Sequence, residues 1–200
     1  MRTRIKMSSD AVAGRRRAPL RAGLWILLLW IGPAAALLAE SASEYQLKAV
    51  FLFNFGQFVE WPPEAFADAK SPFTICVLGD DPFGTLLDDT VRGEKMNDRE
   101  VAVRRYRQAD EIQDCQILFV SAAEGDRTKT ILSALKGRSI LTVGDSGDFD
   151  REGGMIRFVT VNDRIRLRIN PGAASAGGLK LSSKLLRSAE LVNEGGGPAP

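Results

Sequence analysis

The 200-residue sequence contains no histidine and only two cysteines. The missing histidine removes Ser-His-Asp and Cys-His nucleophilic schemes, imidazole general bases and imidazole metal ligands together. Gly144-Asp145-Ser146-Gly147 spells the tetrapeptide around the nucleophile of trypsin-like proteases. Without a histidine it cannot complete that triad, and it reads as a loop after a strand. Gly79 to Thr85 has the outer glycines of a phosphate-cradling loop but lacks the lysine that sits on the terminal phosphates. Asp145, Asp148 and Asp150 lack the EF-hand spacing and its closing bidentate glutamate, which favours a solvated loop over a calcium site. No catalytic residue, metal or cofactor is therefore expected, and the chain reads as a non-enzyme.

Positive charge is also scarce outside the first segment. Residues 1–43 carry seven basic and two acidic residues, which leaves 20 basic and 23 acidic in the remainder. That remainder is close to −3, so a nucleic-acid-binding reading, which needs a basic patch on the folded part, has no compositional support. The order within 1–43 is that of a secretory signal: Arg15, Arg16, Arg17 and Arg21, then an apolar run from Gly23 to Ala39, then small residues. The basic end is retained in the cytoplasm and the remainder crosses. Cleavage near Ala36 and cleavage between Ala39 and Ser43 both fit. A retained anchor, which needs roughly 20 apolar residues, is disfavoured by the Gly32-Pro33 interruption. The expected localisation is the periplasm. The Gly- and Pro-rich end, 194–200, has nothing to pack and is expected to be disordered, which leaves one folded domain over 44–193.

Within that domain, Glu44 to Trp61 is helical in pattern. Leu47, Phe51, Phe55 and Phe58 recur at spacings of one helical turn, while Ala49, Val50, Leu52, Phe53 and Val59 populate the other side. A helix apolar nearly all round needs cover on two sides, and Pro62-Pro63 ends it. Beyond it, short β-branched runs alternate with short helices. Strands are expected at Phe73–Leu78, Arg99–Tyr106, Gln116–Val120 and Ser139–Val143, with helices at Phe83–Val91 and Asp126–Lys136. Met155–Val161 and Arg164–Ile169 flank Asn162-Asp163, a hairpin turn. A closing helix is expected from Pro171 or Gly172 to about Val192. The implied class is α/β: a mostly parallel sheet with helices on both faces, Rossmann-like and three-layered, with a C-terminal antiparallel hairpin as its edge.

Three sets of residues are candidates for function. Cys76 and Cys115 lie in or beside strands, and in an exported chain an even count suggests a disulfide; two separate buried thiols are the alternative. Phe51, Phe55, Phe58 and Trp61 are aromatic enough to anchor a partner, and equally suited to a core. Asp80, Asp81 and Asp145 follow strands, at the carboxyl ends where α/β folds place ligands; helix capping is the competing role of the first two.

Several stretches, taken in order, resemble the YfiR family of periplasmic regulators. They are Lys48–Pro62, Phe73–Gly84, Cys115–Ser121, Ile140–Asp145, Gly153–Phe158, Arg166–Asn170 and Gly178–Leu186. The resemblance implies a sheet flanked by helices, often dimeric. It implies a regulator that restrains a membrane-bound diguanylate cyclase and lowers cyclic di-GMP output, with other members linked to sensor kinases or receptors. An outer-membrane lipoprotein sequesters the regulator in the characterised system. Cys76 and Cys115 match one family disulfide, whereas a second bridge that some members carry near Gly153-Gly154 has no counterpart here. A small-ligand-binding receptor at the strand ends is the competing function.

Overall fold

The computed structural model describes residues 32–192, with side chains from Ser43 onward. The basic block and apolar run up to residue 31, and the tail 194–200, lie outside the described residues. The chain divides into two units, Met1–Ala39 and Glu40–Pro200. Of the first, only the helical backbone of 32–39 is described. The second carries the sheet and every side chain discussed below.

The first helix, α1 (Gly32–Phe58), passes directly into a short strand, β1 (Val59–Glu60). The next elements are β2 (Phe73–Leu78), α2 (Thr85–Val91), β3 (Lys95–Met96), β4 (Arg99–Tyr106) and β5 (Ile117–Val120). After them come α3 (Thr128–Ala134), β6 (Leu141–Gly144), β7 (Ile156–Val161) and β8 (Arg164–Ile169). Eight strands form one sheet in the order β10-β8-β7-β6-β5-β2-β4-β3, in which β10 is Glu190–Leu191. From β4 to β7 every neighbouring pair is parallel, while β7–β8 and β3–β4 are antiparallel.

The central strands β2, β5 and β6 are buried along their whole length. Because side chains alternate across a strand, each feeds two cores. Phe73, Ile75, Val77, Ile117, Phe119, Leu141 and Val143 join residues of α1 and α2 on one side. Cys76, Leu78, Leu118 and Val120 meet Ile131 and Leu132 of α3, and Leu135 just after it, on the other. The unbroken apolar runs in the sequence are the signature of such doubly covered strands.

Three expectations need correction. The closing helix is interrupted: α4 (Pro171–Ala176) stops at Gly177-Gly178, where Gly178 takes φ 74. That left-handed backbone is cheap only for glycine. The chain then forms β9 (Lys180–Leu181), which pairs antiparallel with β1, before α5 (Ser183–Arg187) and β10. The aromatic helix accordingly ends at Phe58, three residues earlier than its hydrophobic pattern suggests. Finally, the β7–β8 pair does not form the sheet's edge, because β10 adds outside β8 at Arg168–Ile169. The β7–β8 turn residues Asn162 and Asp163 both have positive φ, 49 and 57, as a two-residue hairpin matched to strand twist requires. β6 reaches β7 only at Ile156–Arg157, so the distal half of this hairpin pairs only with itself.

Cys76 of β2 and Cys115, two residues before β5, are joined in a disulfide with Cα atoms 6.1 Å apart. The bridge ties two adjacent parallel strands across a separation of 39 residues. Replacing both cysteines by alanine is expected to lower the unfolding free energy by about 4 kcal/mol on the chain-entropy account. Urea unfolding of the variant, and of the native chain with and without reductant, measures this.

Candidate functional site

The setting of α1 about its own axis determines which of its residues are available. Ala49, Leu52 and Phe55 are at most 1% exposed and face the sheet. Gly56 lies on the same side, where a Cβ would come within 2.6 Å of Met96 Cε, so a larger residue would have to displace the end of that flexible side chain. At about 100° per residue, the row Leu47–Phe51–Phe55–Phe58 lies along the margin of the buried face and not at its centre. Phe55 is core, stacked 6.0 Å from Phe158. Phe51 and Phe58 are half-buried: Phe51 touches Phe158 at 6.0 Å, and Lys184 Nζ sits 5.2 Å from the Phe58 ring centre. Trp61 is held in place, edge-on to Phe73 at 5.0 Å, with its Nε1–H donating to Gln116 O at 3.1 Å. Of the four aromatic candidates, then, only Phe55 is fully buried, while Phe51, Phe58 and Trp61 are half-buried, Trp61 with its indole N–H engaged.

Leu47 and Val50, 47% and 39% exposed, complete the outward face. Sequence reasoning placed Leu47 and Val50 on opposite faces of the helix, and so missed that they share a surface. The spacing 47, 50, 51, 54, 58 was the available signal. It is obscured because the inner face is equally apolar.

The reason for this setting is a buried ion cluster at the carboxyl end of β6. Lys48 is 3% exposed, and its Nζ contacts Asp145 Oδ2 and Glu44 Oε1, each at 2.7 Å. The Tyr45 hydroxyl donates to the same Asp145 oxygen at 3.0 Å. Lys48 Nζ also lies 4.4 Å from the centre of the Tyr45 ring, a cation–π contact. Burial first, then the charge and hydrogen bond of Asp145, push the Tyr45 phenol up, which keeps it a donor through the neutral range. Burial would raise Glu44. The hydrogen bond and charge of Lys48, joined by the Thr160 hydroxyl at 3.0 Å, outweigh that and hold it below the ordinary carboxylate range.

The three carboxylates expected to share a ligand each pair with a different group. Asp145 serves α1. Asp81 accepts the Phe83 backbone N–H at 2.8 Å, which closes the turn before α2, and pairs with Arg105 Nε at 2.6 Å. Arg105 also binds Asp88, whose carboxyl is held low chiefly by that hydrogen bond. Asp80 pairs with Arg107 at 2.9 Å, both side chains largely exposed. Asp148 and Asp150 likewise go to separate cations, Arg151 and the pair Arg157 and Arg168. At the end of β6 the position where α/β folds admit ligands is filled by Tyr45 and Lys48. Among the described residues no helix is long and apolar enough to cross a membrane.

The model of the DUF4154 family, described as YfiR/HmsC-like, matches residues 45–190, and the chain is a member of it. The match begins at Tyr45 and so takes in Tyr45, Lys48 and Asp145. No curated protein matches the chain. Membership points to a regulatory role rather than an enzymatic one.

Two consequences of the cluster are measurable. Lys48→Met leaves Asp145 buried without its cation and is expected to cost about 3–5 kcal/mol of stability, most of it recovered in Lys48→Met/Asp145→Leu; chemical denaturation of the single and double variants decides this. Glu44 has a depressed folded value. Its contribution is therefore complete above its unfolded value of about 4.3 and is lost as pH falls through the folded one. Glu44→Gln should lower the urea midpoint at neutral pH, and the difference from the native chain should shrink as pH falls below about 4.3, where the native carboxylate is itself becoming protonated.

Proposed function

We propose that this protein is a periplasmic, non-enzymatic regulator that binds and restrains a membrane-bound signalling protein, a diguanylate cyclase or a sensor kinase, and so lowers cyclic di-GMP signalling. A homodimer is the expected working form, and an outer-membrane lipoprotein is the expected antagonist. Family membership supports the class of function. The observation that carries the binding role is the outward face of α1, where Leu47 and Val50 stand exposed beside the half-buried rings of Phe51 and Phe58.

Apolar side chains grouped beside aromatic rings suit the centre of a protein interface. Restraint then needs no chemistry. A regulator that prefers one conformation of its receptor shifts the receptor's equilibrium by the difference in affinity, with couplings typically of about 1–3 kcal/mol. Leu47 and Val50 support little of the fold, so their replacement separates binding from stability.

Leu47→Asp/Val50→Asp is expected to leave melting nearly unchanged, as exposed substitutions do, within about 0.5 kcal/mol. It should reduce recovery of the membrane partner by about tenfold or more in affinity capture from envelopes, and raise cyclic di-GMP in the cell. Capture of no cyclase, kinase or receptor by the native chain, with cyclic di-GMP indifferent to its deletion, would refute the proposal.

A further inference from the structure

On the α3 side of the sheet, away from α1, a cavity of about 300 Å³ lies between the end of α3, the loop after β6 and the start of α4. Its walls include Leu132, Leu135, Met155 and Ala173, and its polar base is Thr142, Asp150 and Asn170. All three base residues are at most 4% exposed.

The base has both a donor and an acceptor unmatched. Asn170 Oδ1 accepts the Ala173 N–H at 2.9 Å and so caps α4, while its Nδ2 has no partner among the described residues. Asp150 Oδ1 accepts from Arg157 Nη1 at 3.1 Å. Its Oδ2 lies 3.2 Å from Arg168 Nη1 but outside hydrogen-bond alignment, and is otherwise unpartnered among the described residues. Thr142 Oγ1 accepts the Met155 N–H at 3.1 Å and keeps its own proton to give. Buried polar groups in folded proteins are almost always matched, so each orphan calls for an explanation.

We infer that this cavity binds a small neutral polyhydroxy compound of the monosaccharide class. The more accessible part of the lining carries Lys136, Arg138, Arg151 and Glu152, but at the buried base a neutral ligand fits better than an ion. The Asp150 carboxylate already stands between two guanidinium groups, and the second of these, Arg168, contacts Glu190 at 3.4 Å, so the local charges balance. A carboxylate ligand would meet Asp150 with like charge, and an ammonium would leave the Asn170 amide hydrogens unmatched. A hydroxyl donates and accepts at once, and so serves Asp150 Oδ2 and Asn170 Nδ2 alike. The volume is at the small end for ligand sites, which suits one sugar ring and not an oligosaccharide. Apolar walls opposite a polar base match the two faces of such a ring. This site is separate from the strand-end carboxylates and independent of the regulatory reading, so either can fail alone.

The test is titration of the full chain with D-glucose, D-galactose, D-ribose and N-acetyl-D-glucosamine, followed by saturation-transfer NMR and calorimetry. At least one probe should bind saturably at a single site. Asn170→Asp keeps the acceptor that caps α4 and replaces the amide donor by an oxygen; it should weaken binding by about tenfold or more. Ala173→Leu narrows the cavity without touching a polar group and should abolish binding. It decides the matter if the first variant fails to fold, as circular dichroism would reveal. No saturable binding of any of the four up to roughly 50 mM, binding indifferent to both substitutions, or a density map with only ordered water on Asp150 and Asn170 overturns the inference.

Discussion

A lysine ammonium taken out of water must be matched, and in this protein the match between Lys48 and Asp145 fixes how the first helix lies on the sheet. A helix apolar nearly all round has no unique way to sit by hydrophobicity alone. Rotating α1 by a single residue step would bury other side chains of similar size. It would also carry Lys48 away from Asp145, leaving that buried carboxylate without its cation. The ion cluster is thus less a source of net stability than of uniqueness. Placing Phe55 inside and Leu47 and Val50 outside follows from it, and so does the occupation of the β6 end by Tyr45.

That dependence explains which parts of the molecule could be read in advance. The apolar runs at Phe73–Leu78 and Ile117–Val120 announce strands covered on both faces, since no polar alternation interrupts them, and both are central. Asn162-Asp163 announces a hairpin through backbone preference alone, and the turn is there. The disulfide was legible because two cysteines in or beside strands, in a sequence that reads as exported, have few other roles. The two-residue strands β1, β3, β9 and β10 were not legible. Each is defined by its partner and carries no pattern of its own, as when Val59 meets Leu181 from far along the chain. The candidate site was half legible for a related reason: periodicity finds the apolar faces of a helix but cannot rank two of them.

The loop after β6 shows how charge can do the work of a covalent staple. Some relatives are expected to carry a second bridge near Gly153-Gly154, and this chain has no cysteine there. Instead the fully buried Asp150 carboxylate reaches Arg157 of β7 and Arg168 of β8, anchoring the loop to two strands. Such an anchor ignores the redox poise of the compartment, whereas the bridge between Cys76 and Cys115 does not. The two devices hold different strands of the same sheet, one sensitive to reductant and the other not.

The distal half of the β7–β8 hairpin, self-paired and reaching past its neighbours, has an evolutionary consequence. Residues added at Asn162-Asp163 would lengthen a free ribbon without disturbing any strand of the central sheet. Descendants of this chain can therefore gain or lose reach at that tip at small cost to the scaffold, which makes it the natural place for relatives to diverge in size.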